Sequence, residues 1–150
     1  MKNVIFGLFF LIAAIGSVSA QQTAVFAPAG KAVNGYDVVA FFKESKPVMG
    51  ADSLSYTYKD VKWLFSTAAN MNDFKADPEH FMPQYGGYCA LGAAGDHGGH
   101  KSPTKPETWT IVNDKLYFNY NLKVKEAWTK DEPALIGKAD KNWPELKDKP

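Results

Sequence analysis

The sequence contains no arginine, so lysine supplies all 17 of its basic side chains. That removes the planar, bidentate clamp by which proteins most often hold phosphate or carboxylate groups, and it weakens any nucleotide-binding reading. Charge of either sign is also scarce in net terms. The 17 lysines face 16 acids, for a net charge of +1. No electrostatic footprint for nucleic acid or an anionic lipid surface is present, and no nucleic-acid partner is expected. Cysteine is almost missing: Cys89 stands alone and can form no internal disulfide. Neither a Gly-x-Ser-x-Gly elbow nor a phosphate-cradling P-loop occurs, so hydrolase and nucleotide-transfer chemistry have no motif behind them.

What the sequence does contain begins with an export signal. Lys2 supplies a positive start, Val4 to Ile15 form an apolar run broken by Gly7, and Val18-Ser19-Ala20 places small residues where a signal peptidase reads. The run is short of the ~20 residues that span a bilayer. Residues 1–20 are therefore read as a cleaved signal peptide, with a periplasmic or secreted product and no membrane span after cleavage. Residues 21–32, small and Ala/Pro-rich, read as a flexible leader. Residues 33–146 read as one domain, the natural expectation for a chain of about 130 residues. Four tryptophans at 63, 109, 128 and 143 offer large rings to hold a core without disulfides.

Periodicity gives the fold class. Asp37 is well placed to cap a short apolar helix over Val38 to Phe42. Tyr56-Thr57-Tyr58 and Val61 to Phe65 read as a hairpin around Lys59-Asp60. Ser66 is expected to cap a helix from Thr67 to Ala76, and Asp77-Pro78-Glu79 to start another that Pro83 ends. Trp109 to Val112 and Lys115 to Phe118 read as a second hairpin around Asn113-Asp114. Two helices follow, around Leu122 to Trp128 and Pro133 to Trp143. Strands and helices do not alternate regularly, so the expectation is an α+β fold of short antiparallel hairpins and several short helices.

Two stretches carry a family likeness. One is Val33-Asn34-Gly35-Tyr36-Asp37-Val38-Val39-Ala40-Phe41-Phe42. The other runs from Trp63-Leu64-Phe65-Ser66 through Phe74-Lys75-Ala76-Asp77-Pro78-Glu79 and Tyr85-Gly86-Gly87-Tyr88-Cys89-Ala90 to Asn142-Trp143-Pro144. Together they resemble the exported branch of the YHS domain proteins. That resemblance implies a YHS-like domain in the company of metal-handling proteins, since better understood YHS domains accompany copper and mercury transport proteins or oxygenase subunits. Their metal-associated pattern places two cysteines between an aromatic residue and an Asp-Pro pair. This chain keeps Phe65, Phe74, Asp77 and Pro78 but has Ser66 and Asn70 in the cysteine positions, and neither is a soft ligand.

The residues leave three functional readings open. Cys89, after the pliant Tyr85-Gly86-Gly87 run, can join His97 and His100 of the glycine-rich loop in a nitrogen/sulfur set suited to copper or zinc. The partner would then be a metal ion or a metal-handling protein. Cys89 can alternatively serve as the reactive group of a thiol redox protein. Or it is a small buried residue in a structural or partner-binding domain. Tyr36 and Asp37, with Tyr88, form a possible pocket beside Cys89, although Asp37 also fits a purely capping role.

Overall fold

Two tight turns organise the chain, and they share one backbone conformation. Lys59 and Asp60 (φ 50° and 60°) join β1 (Ala51–Tyr58) to β2 (Val61–Phe65), and Asn113 and Asp114 (φ 50° and 60°) join β3 (Thr110–Val112) to β4 (Lys115–Tyr117). Positive φ at both central positions matches the right-handed twist of the flanking strands. The computed structural model describes residues 23–150. The segment read as a signal peptide lies outside the described residues. The hairpins form two separate two-stranded antiparallel sheets, with Tyr56 opposite Trp63 in one and Ile111 opposite Leu116 in the other. Among the described residues six α-helices pack around them, giving the α+β architecture expected from the sequence. No helix among the described residues is long and apolar enough to cross a membrane.

Local signals set the helix ends. Helix α1 (Val38–Lys43) is capped by Asp37, as expected, and α3 (Pro78–Phe81) by Asp77 with proline in its first turn. Helix α2 (Ala68–Ala76) is capped by Thr67 and not by Ser66, because the Ser66 side chain is committed to Asp37. Helix α4 (Ala90–Ala93) is capped by Cys89, and α5 (Leu122–Thr129) by Asn121. Helix α6 (Glu132–Leu146) runs through Pro144, beyond the expected end at Trp143, and Leu146 is buried at its close.

The core has two centres. Val38, Val39, Phe41, Trp63, Phe65 and Phe74 build the first, which Leu116 and Phe118 of the second hairpin also enter. Tyr85, Ala90, Ala93, Tyr117, Trp128 and Leu146 build the second. The same order of parts recurs across them. A run of left-handed residues (Val33-Asn34-Gly35; Tyr85-Gly86-Gly87) leads to a tyrosine, a capping residue and a short helix, then a hairpin and two more helices.

Residues 23–32 of the segment expected to be a loose leader are docked. Val25 is 3% exposed and Ala32 1%. Phe26 N–H donates to Gly86 O at 2.9 Å, Val33 N–H donates to Phe26 O at 2.9 Å, and the Tyr88 hydroxyl donates to Thr23 O at 2.9 Å. Small residues are used here for close backbone approach, which composition alone does not separate from looseness. A Cβ on Gly86 would stand 1.8 Å from Ala24 O.

Candidate functional site

Cys89 lies at the end of the Tyr85-Gly86-Gly87-Tyr88 turn and is 2% exposed. Its backbone N–H donates to Ser102 O at 3.1 Å, and it bridges Phe118 in parallel register. These contacts pin the residue between the histidine loop and the second hairpin. The Gly92 N–H donates to Sγ at 3.4 Å, so the thiol occupies the capping position of α4. Sγ–H in turn donates to Asn119 Oδ1 at 3.6 Å. The Asn119 amide is oriented by a second contact, since Leu91 N–H donates to the same Oδ1 at 3.2 Å. That orientation makes Oδ1, an acceptor, the atom facing sulfur, so the protonated thiol complements the site.

Asn119 is buried, and its Nδ2 has no hydrogen-bond partner. Sequence reasoning missed it. The available signal was positional, because Phe118-Asn119 closes the second hairpin as Phe65-Ser66 closes the first.

Cys89 forms part of the wall of a cavity of about 270 Å³, with Leu91, Gly92, His100, Ser102, Tyr120 and Val124. Gly92 permits the approach of the two chemistry-bearing side chains. A Cβ there would stand 3.3 Å from His100 Nε2, 3.5 Å from Cys89 Cβ and 3.0 Å from His100 O. The His100 N–H also donates to Gly92 O at 3.0 Å, tying the loop to the end of α4. His100 itself is exposed, whereas the thiol lies inside.

Of the expected metal set, Cys89 and His100 meet at this cavity. His97 does not line it. It is exposed, holds a left-handed backbone (φ 58°), and follows Asp96, whose carboxylate is bonded to Lys138. That lysine holds the Asp96 carboxyl below its ordinary range, with a lesser contribution from His97. Among the described residues no group of three or more His, Cys, Asp or Glu side chains is arranged to hold a metal ion. The structure thus brings Cys89 and His100 of that set together and leaves His97 outside the cavity wall.

Tyr36, Asp37 and Tyr88 line neither this cavity nor the larger cleft elsewhere on the surface. Asp37 is fully buried and saturated. Its Oδ1 accepts from Val39 N–H at 2.9 Å and Ala40 N–H at 3.2 Å. Its Oδ2 accepts from Ser66 N–H at 2.8 Å, the Ser66 hydroxyl at 2.6 Å and Asn70 Nδ2 at 2.8 Å. Ser66 and Asn70, which replace the cysteines of the resembled metal-associated pattern, thus converge on a carboxylate. Tyr36 packs half-buried on the first core and bridges Met49. The Tyr88 ring sits 5.5 Å from Phe26 and 6.3 Å from Trp143, and burial pushes the pKa of its phenol above the usual tyrosine value.

Comparison with known proteins found no matching family model, no matching curated protein and no matching solved structure.

Proposed function

We propose that the chain is an exported, non-enzymatic binding module of YHS type that holds one soft transition-metal ion, copper(I) foremost, between Cys89 Sγ and His100 Nε2. The observation that carries this reading is the opening of both side chains onto one small cavity around Gly92. Thiolate sulfur and imidazole nitrogen are the donors that soft and borderline ions prefer. Copper(I) is content with two such donors, whereas zinc asks for a closed set of four or an open set of three. A two-donor pair therefore favours copper(I) over zinc. The rest of the wall is largely apolar. Metal uptake would displace the thiol proton now given to Asn119.

The test is equilibrium competition for copper(I) with the chain, Cys89→Ser and His100→Gln. Binding of one equivalent, lost in Cys89→Ser and weakened at least tenfold in His100→Gln, is the expected result. Unchanged binding in either variant removes that ligand from the assignment. Absence of any binding removes the metal reading.

One observation favours a second reading, in which Cys89 is structural. Its thiol occupies the same capping position in the second half that Asp37 occupies in the first. Under that reading the wild-type chain binds no copper(I), and Cys89 substitutions change stability alone. The thiol redox reading has less support, because a thiol that is 2% exposed offers little access to an attacking partner.

A further inference from the structure

Helix α6 and the residues after it hold the histidine loop at three points. Asn142 Nδ2 donates to Ala93 O at 2.8 Å and to Gly95 O at 3.0 Å. Lys138 pairs with the Asp96 carboxylate. Lys101, next to His100, donates to Lys147 O at 3.3 Å and to Lys149 O. The three ties differ in weight. The Lys138 and Asp96 side chains are 48% and 79% exposed, and an ion pair so open to water contributes little. The Lys101 contacts are exposed as well. Asn142 is half-buried, and its amide bridges two carbonyls at the end of α4, so it is the inner clasp.

The clasped loop closes on itself at Gly92. Gly95 N–H and His100 N–H both donate to Gly92 O, each at 3.0 Å. Between them His97, Gly98 and Gly99 all hold left-handed backbones (φ 58°, 93° and 69°). Gly99 packs against Ala93 O, which an added Cβ would approach to 2.4 Å. That oxygen is the one that accepts from Asn142. A segment this rich in glycine has many open conformations to escape to. Its closed form therefore depends on contacts from outside the loop, and Asn142 supplies the most protected of them.

We propose that Asn142 is a positioning residue for the Cys89–His100 pair, holding the loop closed so that His100 stays at the cavity wall. The role rests on the copper(I) reading for its function, though not for its geometry. A ligand whose site is assembled in only a fraction of molecules binds more weakly by that fraction. Asn142 does not line the cavity, so its effect on a bound ion passes through His100 alone.

The test joins copper(I) competition to amide hydrogen exchange in the metal-free chain. Asn142→Ala should bind copper(I) about tenfold more weakly than wild type. Asn142→Asp, similar in shape but without the donor protons, should lose at least as much. In a His100→Gln background Asn142→Ala should change nothing further. Without metal, it should speed exchange of the Gly95 and His100 amides while both hairpins stay protected. Unchanged affinity, an equal loss in the two backgrounds, or unchanged exchange would each overturn the proposal. Absence of copper(I) binding by the wild-type chain is a separate failure, which removes the metal reading. Exchange at Gly95 and His100 then decides by itself: faster exchange in Asn142→Ala upholds the clasp, and equal exchange overturns it.

Discussion

Asp37 and Cys89 occupy equivalent places in the two halves of the domain. Each follows a left-handed run and a tyrosine, each caps a short helix, and each meets the residue that closes the hairpin of its own half. For Asp37 that residue is Ser66, for Cys89 it is Asn119. The direction of the contact is reversed. Asp37 accepts from Ser66 and Asn70, whereas Cys89 donates to an amide oxygen. A carboxyl group with five donors is fully satisfied in the interior, while a thiol with two weak contacts can exchange its partner. The half that carries Cys89 is thus the half with chemistry to spare.

Removal of the Asp37 carboxylate should be severe. Asp37→Ala leaves the Ser66 hydroxyl, the Asn70 amide and the first turn of α1 without their acceptor in a closed interior. Each stranded buried donor costs about 1–3 kcal/mol, so a loss of at least ~3 kcal/mol is expected in urea denaturation. Asp37→Asn should lie between Ala and wild type, since the amide restores only one acceptor oxygen.

Cys89 should tolerate a change that keeps its hydrogen bonds. In Cys89→Ser the hydroxyl can still accept from Gly92 and donate to Asn119, and serine is a better cap than cysteine. Its stability should stay within about 1 kcal/mol of wild type, whereas Cys89→Ala should lose about 1–2 kcal/mol with the cap gone. In the wild-type chain alkylation of the thiol should be slow until denaturant is added, because the residue is 2% exposed. Rapid alkylation of the folded protein would return the redox reading to first place.

Gly86→Ala should release the N-terminal segment. Its backbone is left-handed (φ 61°), and the added methyl group would collide with Ala24 O. Strain of this kind costs about 1–3 kcal/mol. The expected signature is faster limited proteolysis within residues 23–32, with the hairpins still protected. Equal proteolysis rates in variant and wild type would contradict the docking of that segment.

Alkali should unfold the protein through its tyrosines. Burial raises the phenols of Tyr85, Tyr88 and Tyr117, with the Asp140 carboxylate adding to the effect at Tyr85 and Tyr117. A group whose value is raised by folding stabilises the fold in full below its unfolded value, here 10.0, and loses that contribution as pH climbs above it. Tyrosinate absorbance and loss of circular dichroism should therefore rise together above about pH 10. Early tyrosinate formation with the fold intact would show that these phenols are not held by burial.

Much of the fold is legible because its signals are local. Lys59-Asp60 and Asn113-Asp114 sit between β-type runs, and the chain turns at both. Asp37 and Asp77 precede apolar or proline-led stretches and cap them. The helix start near Ser66 was harder to read, since both Ser66 and Thr67 can cap, and only contact with Asp37, 29 residues away, removes Ser66 from that role. The leader was hidden for a related reason. Ala24 and Val25 look featureless alone, and their burial depends on Gly86, far along the chain.

The sequence by itself determined the α+β class, the two hairpins, the capping of α1 and the solitude of Cys89, because each rests on neighbours a few residues apart or on composition. Tertiary structure alone decided which side chains meet. It brought His100 rather than His97 to the thiol, through the His100 N–H bond to Gly92 and the missing Cβ between them. It closed Asp37 away among five donors and supplied Asn119 as the partner of Cys89. These pairings join residues up to 33 positions apart. They follow from how the halves fold back on their hairpins, which no local pattern of residues encodes.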